Sequence, residues 1–312
     1  KEEKIFMQKI AKEQFYKGTV ASILEDKNKI RKLIIIPDGK LWSVPFDVLG
    51  NILNREINGY DNLVERYEII YQLSSLHYYI SKNLNKRKYK YDYIGFGNAD
   101  YKTLRKESIS KKSTSNNLRS CEWSNLRYSG KEINEPLKYK MLIKKYKIYK
   151  NKDANEKNLK QKIDSRFLHL AIHSSARNTI NNKVIGAALI TSSDENNDGI
   201  LTLDELYESS QFNTDLVILS SCESGIGQNK DFHEFKSLAL TFKLLGSSQV
   251  IYSIWKVDDR STYLFFSKFY EYLNNGHTAS KALQKTKLFF IQSEDSKLND
   301  PYVWASFNII GY

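Results

Sequence analysis

Two residues whose side chains can do covalent chemistry come directly after short apolar runs. His173 follows residues 167–172, and Cys222 follows residues 216–221. Continuous apolar runs of this length are typical of strands buried on both faces of a parallel sheet, and such sheets bind ligands at the carboxyl ends of their strands. A thiol becomes a nucleophile next to a base, usually imidazole near neutral pH. The two residues therefore indicate nucleophilic catalysis, and Gly225 permits a tight turn beside the thiol.

Each of these residues also has an ordinary structural explanation. A cysteine at the end of an apolar strand more often packs in the core than acts as a nucleophile. His173 alone fits a hydrogen-bonded structural histidine, and His169 lies on the same strand and the same face. Spacing alone leaves both readings open.

The elements that must position these residues alternate between strands and helices. Short apolar runs predict strands at residues 93–97, 167–172, 187–191, 215–221 and 250–255, and helical spacing predicts helices at residues 130–147, 155–163, 235–245 and 262–273. Such alternation predicts an α/β fold with a mostly parallel sheet. Upstream, we expect an amphipathic helix over residues 1–28, then two strands, residues 33–36 and 41–46, around the turn Pro37-Asp38-Gly39. A basic stretch at residues 81–91 suggests a boundary between a portion at 1–85 and one at 86–312.

Composition places the chain among globular proteins of a reducing compartment. Its 312 residues are 41% hydrophobic with only 4 Pro and 14 Gly, which excludes disordered and collagen-like chains. Two cysteines cannot form a disulfide framework in a chain of this length. The sequence shows neither a run of about 20 apolar residues nor a signal-peptide pattern. We therefore expect a cytoplasmic protein without a membrane anchor, and Lys1 in place of an initiator Met suggests that a further region precedes it.

The positive charge is concentrated in one segment. The formal net charge is +12, and residues 81–160 hold 22 Lys/Arg against 8 Asp/Glu, whereas the remainder holds 26 against 28. Such a segment can bind nucleic acid by neutralising phosphates. Its lysines alternate with tyrosines, as in Lys88-Tyr89-Lys90-Tyr91, which is typical of solvated faces. The pattern favours a solvated face over nucleic-acid binding, with docking of an acidic partner as the intermediate alternative.

Several motifs, read in order along the chain, resemble those of the CHAT domains, caspase-like cysteine peptidases of the separase and caspase clan that are usually attached to tetratricopeptide repeats. The resemblance covers most of the chain. The motifs are Ile34-Ile35-Ile36-Pro37-Asp38-Gly39, Gly130-Lys131-Glu132-Ile133, Ala154-Asn155-Glu156, Leu168-His169-Leu170-Ala171-Ile172-His173, the stretch from Leu216 to Gly227 around Cys222, Ser253-Ile254-Trp255-Lys256-Val257-Asp258-Asp259, and Pro301-Tyr302-Val303-Trp304-Ala305.

This resemblance implies a caspase-like α/β/α sandwich, preceded by a smaller, degenerate caspase-like portion. It implies a cysteine endopeptidase with Cys222 as nucleophile and His173 as general base, needing no cofactor. Backbone N–H groups of Cys222 and Ser174 would hold the oxyanion, and position 174 is often glycine in the family. The implied partners are a protein substrate and an attached repeat region or regulatory protein. Two alternatives are a non-catalytic caspase-like scaffold and a calcium-gated regulator.

Substrate preference points to the residues around Trp255. In separase-like relatives the loop after this strand contributes to the pocket for the residue before the scissile bond, and here it offers Asp258 and Asp259. Carboxylates favour Arg or Lys, so we expect a basic or polar preference. The alternative is that one of the two carboxylates caps the helix beginning near Ser261.

A calcium-binding pattern is also present. Residues 194–205 match the twelve-residue EF-hand loop, with Gly199 at position six and oxygen-bearing side chains at Asp194, Asn196, Asp198 and Glu205. An EF-hand needs a helix before this loop, whereas residues 184–191 read as a strand. The context therefore does not favour calcium binding. A cation bound to this loop, which lies between the two catalytic strands in the sequence, would nevertheless be able to control activity.

Overall fold

The computed structural model describes residues 30–52, 62–83, 87–101, 123–180, 183–209, 211–220 and 232–312. Within them the strands are β1 (Lys32–Ile35), β2 (Glu68–Tyr71), β3 (Tyr91–Ala99), β4 (Tyr146–Asn151), β5 (Ile163–Ala171), β6 (Ser174–Ile180), β7 (Lys183–Ile190), β8 (Ile200–Thr202), β9 (Phe212–Leu219), β10 (Ser247–Ser253) and β11 (Phe307–Gly311). The α-helices are α1 (Leu63–Arg66), α2 (Ser75–Lys82), α3 (Ser129–Glu132), α4 (Glu156–Leu159), α5 (Leu203–Ser209), α6 (Phe232–Leu244), α7 (Asp259–Asn274), α8 (Ala279–Ile291) and α9 (Pro301–Trp304).

Eight of the strands form one mostly parallel sheet, in the order β1-β2-β11-β10-β9-β5-β3-β4. The pair β10–β11 is antiparallel, and the other neighbours run parallel. The remaining strands form a separate antiparallel sheet, β6-β7-β8. The predicted α/β class with a mostly parallel sheet is confirmed.

Apolar layers cover both faces of the large sheet. One buried cluster contains residues of α6, β7 and the segment after β1, including Trp42, Leu189 and Phe242. The other contains residues of α7, α8 and α9, including Phe265 and Trp304. The central strands are therefore apolar on both faces, which is why their sequences read as continuous apolar runs rather than alternating ones.

Strands β5 and β9 precede His173 and Cys222 in the sequence and are neighbours in the large sheet. They pair in parallel, with Leu168 opposite Val217 and Leu170 opposite Leu219. The carboxyl ends of neighbouring parallel strands lie at the same edge. The residues that follow them, His173 on one side and Ser220 on the other, therefore emerge next to each other.

The predicted strand at residues 41–46 is wrong. This stretch forms two 3₁₀-helices, Gly39–Ser43 and Phe46–Ile52. The Asp38 side chain accepts the N–H of Gly39, whose φ of 50° is favourable for glycine, and Leu41 N donates to Asp38 O. The apolar side chains of Trp42, Val44 and Phe46 in this stretch lie in the core.

The long helix predicted at residues 130–147 is also wrong. The chain forms the short α3, a 3₁₀-helix at Glu135–Lys138 that contains Pro136, and then β4. Proline lacks an N–H and clashes with the preceding turn, so it cannot continue a helix interior. Helix α4 likewise covers only part of predicted 155–163, and the predicted strand at 187–191 lies in the small antiparallel sheet.

The predicted division between residues 1–85 and 86–312 stays a prediction. Strands β1 and β2 precede it, yet they join the large sheet through β11. The amphipathic helix predicted at residues 1–28 lies outside the described residues. Among the helices that the structure describes, none is both long and apolar enough to cross a membrane.

Candidate active site

His173 lies at the point where the chain leaves the large sheet. Strand β5 ends at Ala171, and β6 begins the small sheet at Ser174. The His173 side chain is fully buried, and its Nε2 is 2.6 Å from the backbone oxygen of Ser124. Because a carbonyl oxygen can only accept a hydrogen bond, Nε2 carries the hydrogen. The basic nitrogen of the ring is therefore Nδ1.

Aromatic rings and backbone contacts hold His173 in this orientation. The ring centroids of Tyr101 and Trp123 lie 4.8 and 5.2 Å from that of the imidazole. The His173 N–H donates to Tyr101 Oη at 3.2 Å, and its carbonyl accepts the N–H of Ile190 at 2.7 Å. The residue is fixed at its ring and its backbone, as a general base requires.

Ser174, whose backbone N–H is predicted to bind the oxyanion, is the first residue of β6. Ser174 is paired with Leu189 in the antiparallel β6–β7 ladder. The neighbouring residues, His173 and Ile190, are joined by a hydrogen bond from Ile190 N to His173 O. Because hydrogen-bonded and non-hydrogen-bonded pairs alternate along an antiparallel ladder, Ser174 and Leu189 form a non-hydrogen-bonded pair. The Ser174 N–H therefore points away from β7. Among the described residues, the non-glycine residues with positive φ are Asn98 and Asn151, so Ser174 needs no glycine-like conformation.

Cys222 lies outside the described residues. The described chain ends two residues before it at Ser220, which is buried and follows β9 directly. The Ser220 N–H donates to Leu170 O of β5 at 3.3 Å. The approach to Cys222 therefore lies beside the strand that carries His173.

Two cavities open next to this edge of the sheet. One, of about 240 Å³, is lined by His173, Ser220, Ser124, Asp258 and Asp259 among others. The other, of about 730 Å³, shares the last three of these residues. Its further lining includes the aromatic side chains of Tyr101, Trp123 and Tyr128. The two cavities, which share Ser124 and both aspartates and are together called the cleft, have an imidazole and two carboxylates in their walls.

The two carboxylates of the cleft differ in their surroundings. Asp258 is the N-cap of α7, and its Oδ1 accepts the N–H groups of Arg260 and Ser261 at 3.1 and 3.0 Å. Asp259 Oδ2 accepts the N–H of Tyr128 at 2.7 Å. Burial raises the pKa of the Asp259 carboxyl, the carboxylates of Glu132 and Asp258 act in the same direction, and N–H donors oppose them. Asp258 thus has the capping role considered from sequence, and both residues still line the cleft.

Trp255 is directed elsewhere. Its Nε1 donates to Tyr302 O at 2.6 Å, and the two rings stack with centroids 5.3 Å apart. Trp255 is not among the described residues that line either cavity.

Sequence reasoning did not predict the carbonyl of Ser124 or the pairing of His169. A backbone acceptor leaves no signature in residue type, and residues 123–126 have no regular secondary structure. His169 Nε2 is 2.8 Å from Glu132 Oε1, and both side chains are buried. Both residues stood in recognisable motifs, but nothing in the sequence links positions that are 37 residues apart.

The loop at residues 194–205 is closed by hydrogen bonds within the protein. Asp194 Oδ1 accepts the N–H groups of Asn196 and Asn197, and Asp198 Oδ1 accepts that of Ile200. Glu205 accepts from Thr202 and from Lys160 Nζ. The element before the loop is strand β7 rather than a helix. Across the described parts of the chain, no group of three or more His, Cys, Asp or Glu side chains is arranged to hold a metal ion.

Comparison with known proteins agrees with this architecture. The structure is similar to the crystal structure of the Arg specific cysteine proteinase gingipain R, with a TM-score of 0.51 at 9% identity, covering 98% of this chain and 66% of that one. The fold is therefore of the caspase-like α/β class. The sequence model described as the CHAT domain matches residues 4–312, and the chain belongs to the CHAT domain family. A comparison with curated proteins finds no match.

Proposed function

We propose that the protein is a cysteine endopeptidase that uses Cys222 and His173. The carrying observation is that Ser124 O binds His173 Nε2 at the edge of the sheet where β9 leads to Cys222. Membership of the CHAT domain family and the caspase-like fold support the same reaction class.

The proposed reaction follows from the proton on the imidazole ring. His173 Nδ1 takes the proton of the Cys222 thiol, and the thiolate attacks the peptide carbonyl. The N–H groups of Ser174 and Cys222 bind the oxyanion of the tetrahedral intermediate. When the C–N bond breaks, Nδ1–H protonates the leaving amine, which leaves a thioester on Cys222. A water molecule, deprotonated by Nδ1, then attacks the thioester carbonyl. The C–S bond breaks, the acid product leaves, and the proton on Nδ1 returns to the Cys222 sulfur.

The proposed substrate is a protein with a basic residue before the scissile bond. Asp258 and Asp259 line the cleft beside His173, and carboxylates bind Arg and Lys through charge-assisted hydrogen bonds. Regulation by an attached repeat region or a partner protein, and a cytoplasmic location, are part of the same proposal.

The test is cleavage of fluorogenic peptides that vary at the residue before the scissile bond. We expect Cys222→Ala to lower kcat/KM by about 10⁴-fold or more, as removal of a catalytic nucleophile does elsewhere. The matched control is Cys121→Ala, which removes the other cysteine of the chain and keeps full activity.

A second readout is covalent labelling by a peptidyl acyloxymethyl ketone ending in Arg. We expect intact-mass analysis to show one adduct, on Cys222, whose rate of formation falls in His173→Gln. Absence of both cleavage and labelling in the folded wild type would contradict the proposal and favour a non-catalytic scaffold.

A further inference from the structure

One short segment, residues 123–132, contacts the key groups of the cleft. Its Ser124 carbonyl binds His173 Nε2 at 2.6 Å, and its Tyr128 N–H binds Asp259 Oδ2 at 2.7 Å. At its end, Glu132 Oε1 lies 2.8 Å from His169 Nε2. The position of the 123–132 segment therefore sets the position of the hydrogen-bond acceptor for the catalytic base.

The 123–132 segment has little regular structure of its own. Its only helix is α3, four residues long, and isolated helices of this length are unstable in water. Ser129 Oγ ties it to β3 by accepting the N–H of Asn98 at 2.9 Å. A Cβ atom at Gly97 would come within 2.9 Å of Ser129 O, so the segment lies directly on the strand. Contacts with the rest of the protein must therefore hold it in place.

The pair Glu132–His169 is the buried polar contact of this segment with β5. The exposed fractions of the two residues are 1% and 0%. His169 Nδ1 lies 3.0 Å from Tyr270 Oη, and the imidazole ring packs against Phe266 and Tyr270. A buried carboxylate is costly unless it is paired, so the protein strongly favours the one arrangement in which Glu132 reaches His169.

The same strand carries both histidines. His169 lies on β5, and His173 follows that strand four residues later. The contacts therefore close a loop that runs from β5 through His169 and Glu132 to the 123–132 segment, and through the Ser124 carbonyl back to His173.

We propose that His169 and Glu132 are positioning residues for the catalytic base. Their contact fixes the 123–132 segment so that Ser124 O holds His173 Nε2 and Nδ1 remains the basic nitrogen of the ring. Neither residue touches the reacting atoms, and the inference rests on the proposed peptidase function. A purely structural pair would affect stability without changing the state of the His173 ring.

The first test is steady-state kinetics of full-length Glu132→Gln and Tyr270→Phe, with the best fluorogenic peptide for the wild type. We expect Glu132→Gln to lower kcat by about 100-fold, as misplacement of a catalytic group by about 1 Å does, and to change KM little. Tyr270→Phe keeps the ring and loses the hydroxyl that bonds to His169 and to Tyr93, and we expect a smaller effect in the same direction.

The matched control is Glu135→Gln. Glu135 lies three residues further along and bonds to Lys138 and Ser267, away from the contacts of His173. We expect its kcat to stay near that of the wild type. Equal kcat values for folded Glu132→Gln and Glu135→Gln would overturn the inference.

The second test does not depend on peptidase activity. In protein with ¹⁵N-labelled histidine, we expect His173, assigned through His173→Gln, to give separate Nδ1 and Nε2 signals of one neutral tautomer. In Glu132→Gln and Tyr270→Phe these signals move toward each other as tautomers exchange, whereas in Glu135→Gln they stay. Unchanged His173 signals in both folded variants would overturn the inference. An inactive wild type that shows the expected spectra would contradict the proposed function alone.

Discussion

At the residue scale, the candidate site depends on backbone atoms as much as on side chains. The His173 ring is oriented by the Ser124 carbonyl, and Asp259 is held by the Tyr128 N–H. Backbone groups cannot be removed by substitution, so their effect is seen only when the chain around them shifts. The roles of the two carboxylates in the cleft, Asp258 and Asp259, can be distinguished by substituting each side chain in turn.

We predict that Asp259 makes the larger contribution to preference for a basic residue. Asp259→Asn keeps an acceptor for Tyr128 N and removes the charge, so kcat/KM for peptides with Arg before the scissile bond falls about 10- to 100-fold relative to neutral peptides, since hydrogen bonds to charged groups contribute roughly 1.5–3 kcal/mol. Asp258→Asn has a smaller effect, because Asp258 Oδ1 already accepts two N–H groups.

The pH dependence of this preference has a defined sign. Burial raises the pKa of Asp259, so the carboxylate is neutralised at a higher pH than an ordinary aspartate as the solution is acidified. We expect the preference for Arg over neutral residues to weaken in the wild type as the pH falls and Asp259 is neutralised. In Asp259→Asn we expect this preference to be independent of pH. Asp295→Asn, at an exposed position, serves as the control. An unchanged preference in Asp259→Asn would exclude this role.

The sequence could place His173 at the end of a buried strand, because the apolar run before it had to be buried. Its pairing with Cys222 stays a prediction that rests on the resemblance to the CHAT domains. The sequence could not predict the partners of His173. Ser124 contributes only its carbonyl, Tyr101 and Trp123 are distant in sequence, and stacking of rings requires knowledge of the fold. Helix capping by one of Asp258 and Asp259 was an alternative from sequence, since an aspartate just before an amphipathic run is a typical N-cap, and the structure shows that Asp258 is the cap.

At the element scale, the ammonium group of Lys160 bonds to side chains in and beside the loop at residues 194–205. Lys160, just after α4, places Nζ 2.7 Å from Glu156 Oε2, 3.0 Å from Glu205 Oε1 and 3.2 Å from Asn197 Oδ1. Partial burial disfavours its charge, but the hydrogen bonds to Glu156 and Glu205 outweigh this and raise the pKa of Lys160. Glu156 Oε1 also accepts the N–H of Gly199. Lys160 is therefore linked to the loop through Glu156 as well as through its direct bonds to Asn197 and Glu205.

We predict that Lys160, rather than calcium, stabilises this loop. Lys160→Met leaves the buried Glu156 carboxylate without its cation, so the free energy of unfolding falls by about 1–3 kcal/mol. Lys162→Met, at an exposed position two residues further along the chain, is the matched control and changes this free energy little. Thermal unfolding of the wild type should be the same with EDTA and with about 1 mM calcium, a concentration that fills even weak calcium sites. A rise in melting temperature with calcium would contradict this prediction.

Elements were predictable where a single pattern persisted. Helices α6 and α7 follow from uninterrupted helical spacing near residues 235–245 and 262–273, and they are close to the predicted bounds. Residues 130–147 have helical spacing too, but Ile133 packs on β3 while Ile143 joins the core beside α7. Tertiary packing therefore divides a stretch that local spacing would make continuous.

At the scale of the whole molecule, the sheet joins two blocks of opposite direction. Strands β1, β2 and β11 run one way, and β10, β9, β5, β3 and β4 run the other. Lys243, at the end of α6, lies beside this junction and donates Nζ to the carbonyls of Ser247 and Ser248, near Gly311 of β11. Its exposed fraction is 7%.

We predict that Lys243 makes stability depend on pH. Burial, helped by Arg87, lowers the pKa of Lys243 from its ordinary 10.5 to about 8. Between these values the unfolded chain binds a proton that the folded protein does not, so stability rises with pH. The cost of charging Lys243 is fully present below pH 8 and is removed above it. At about 1.36 kcal/mol per unit of pKa shift, the gain by pH 10.5 is at most about 3 kcal/mol.

The measurement is urea unfolding of the wild type, Lys243→Met and Lys297→Met at pH 7 and pH 10. Apart from His77, whose pKa the Lys243 charge helps to lower, the other titrating groups act alike in all three proteins, so the difference between wild type and variant reports mainly on Lys243. We expect the wild type to gain stability relative to Lys243→Met on going to pH 10, because methionine at that position has no proton to lose. Against Lys297→Met, whose lysine is exposed, the difference should stay constant. Parallel curves for Lys243→Met would mean that the Lys243 ammonium is as well stabilised by its carbonyl partners as by water.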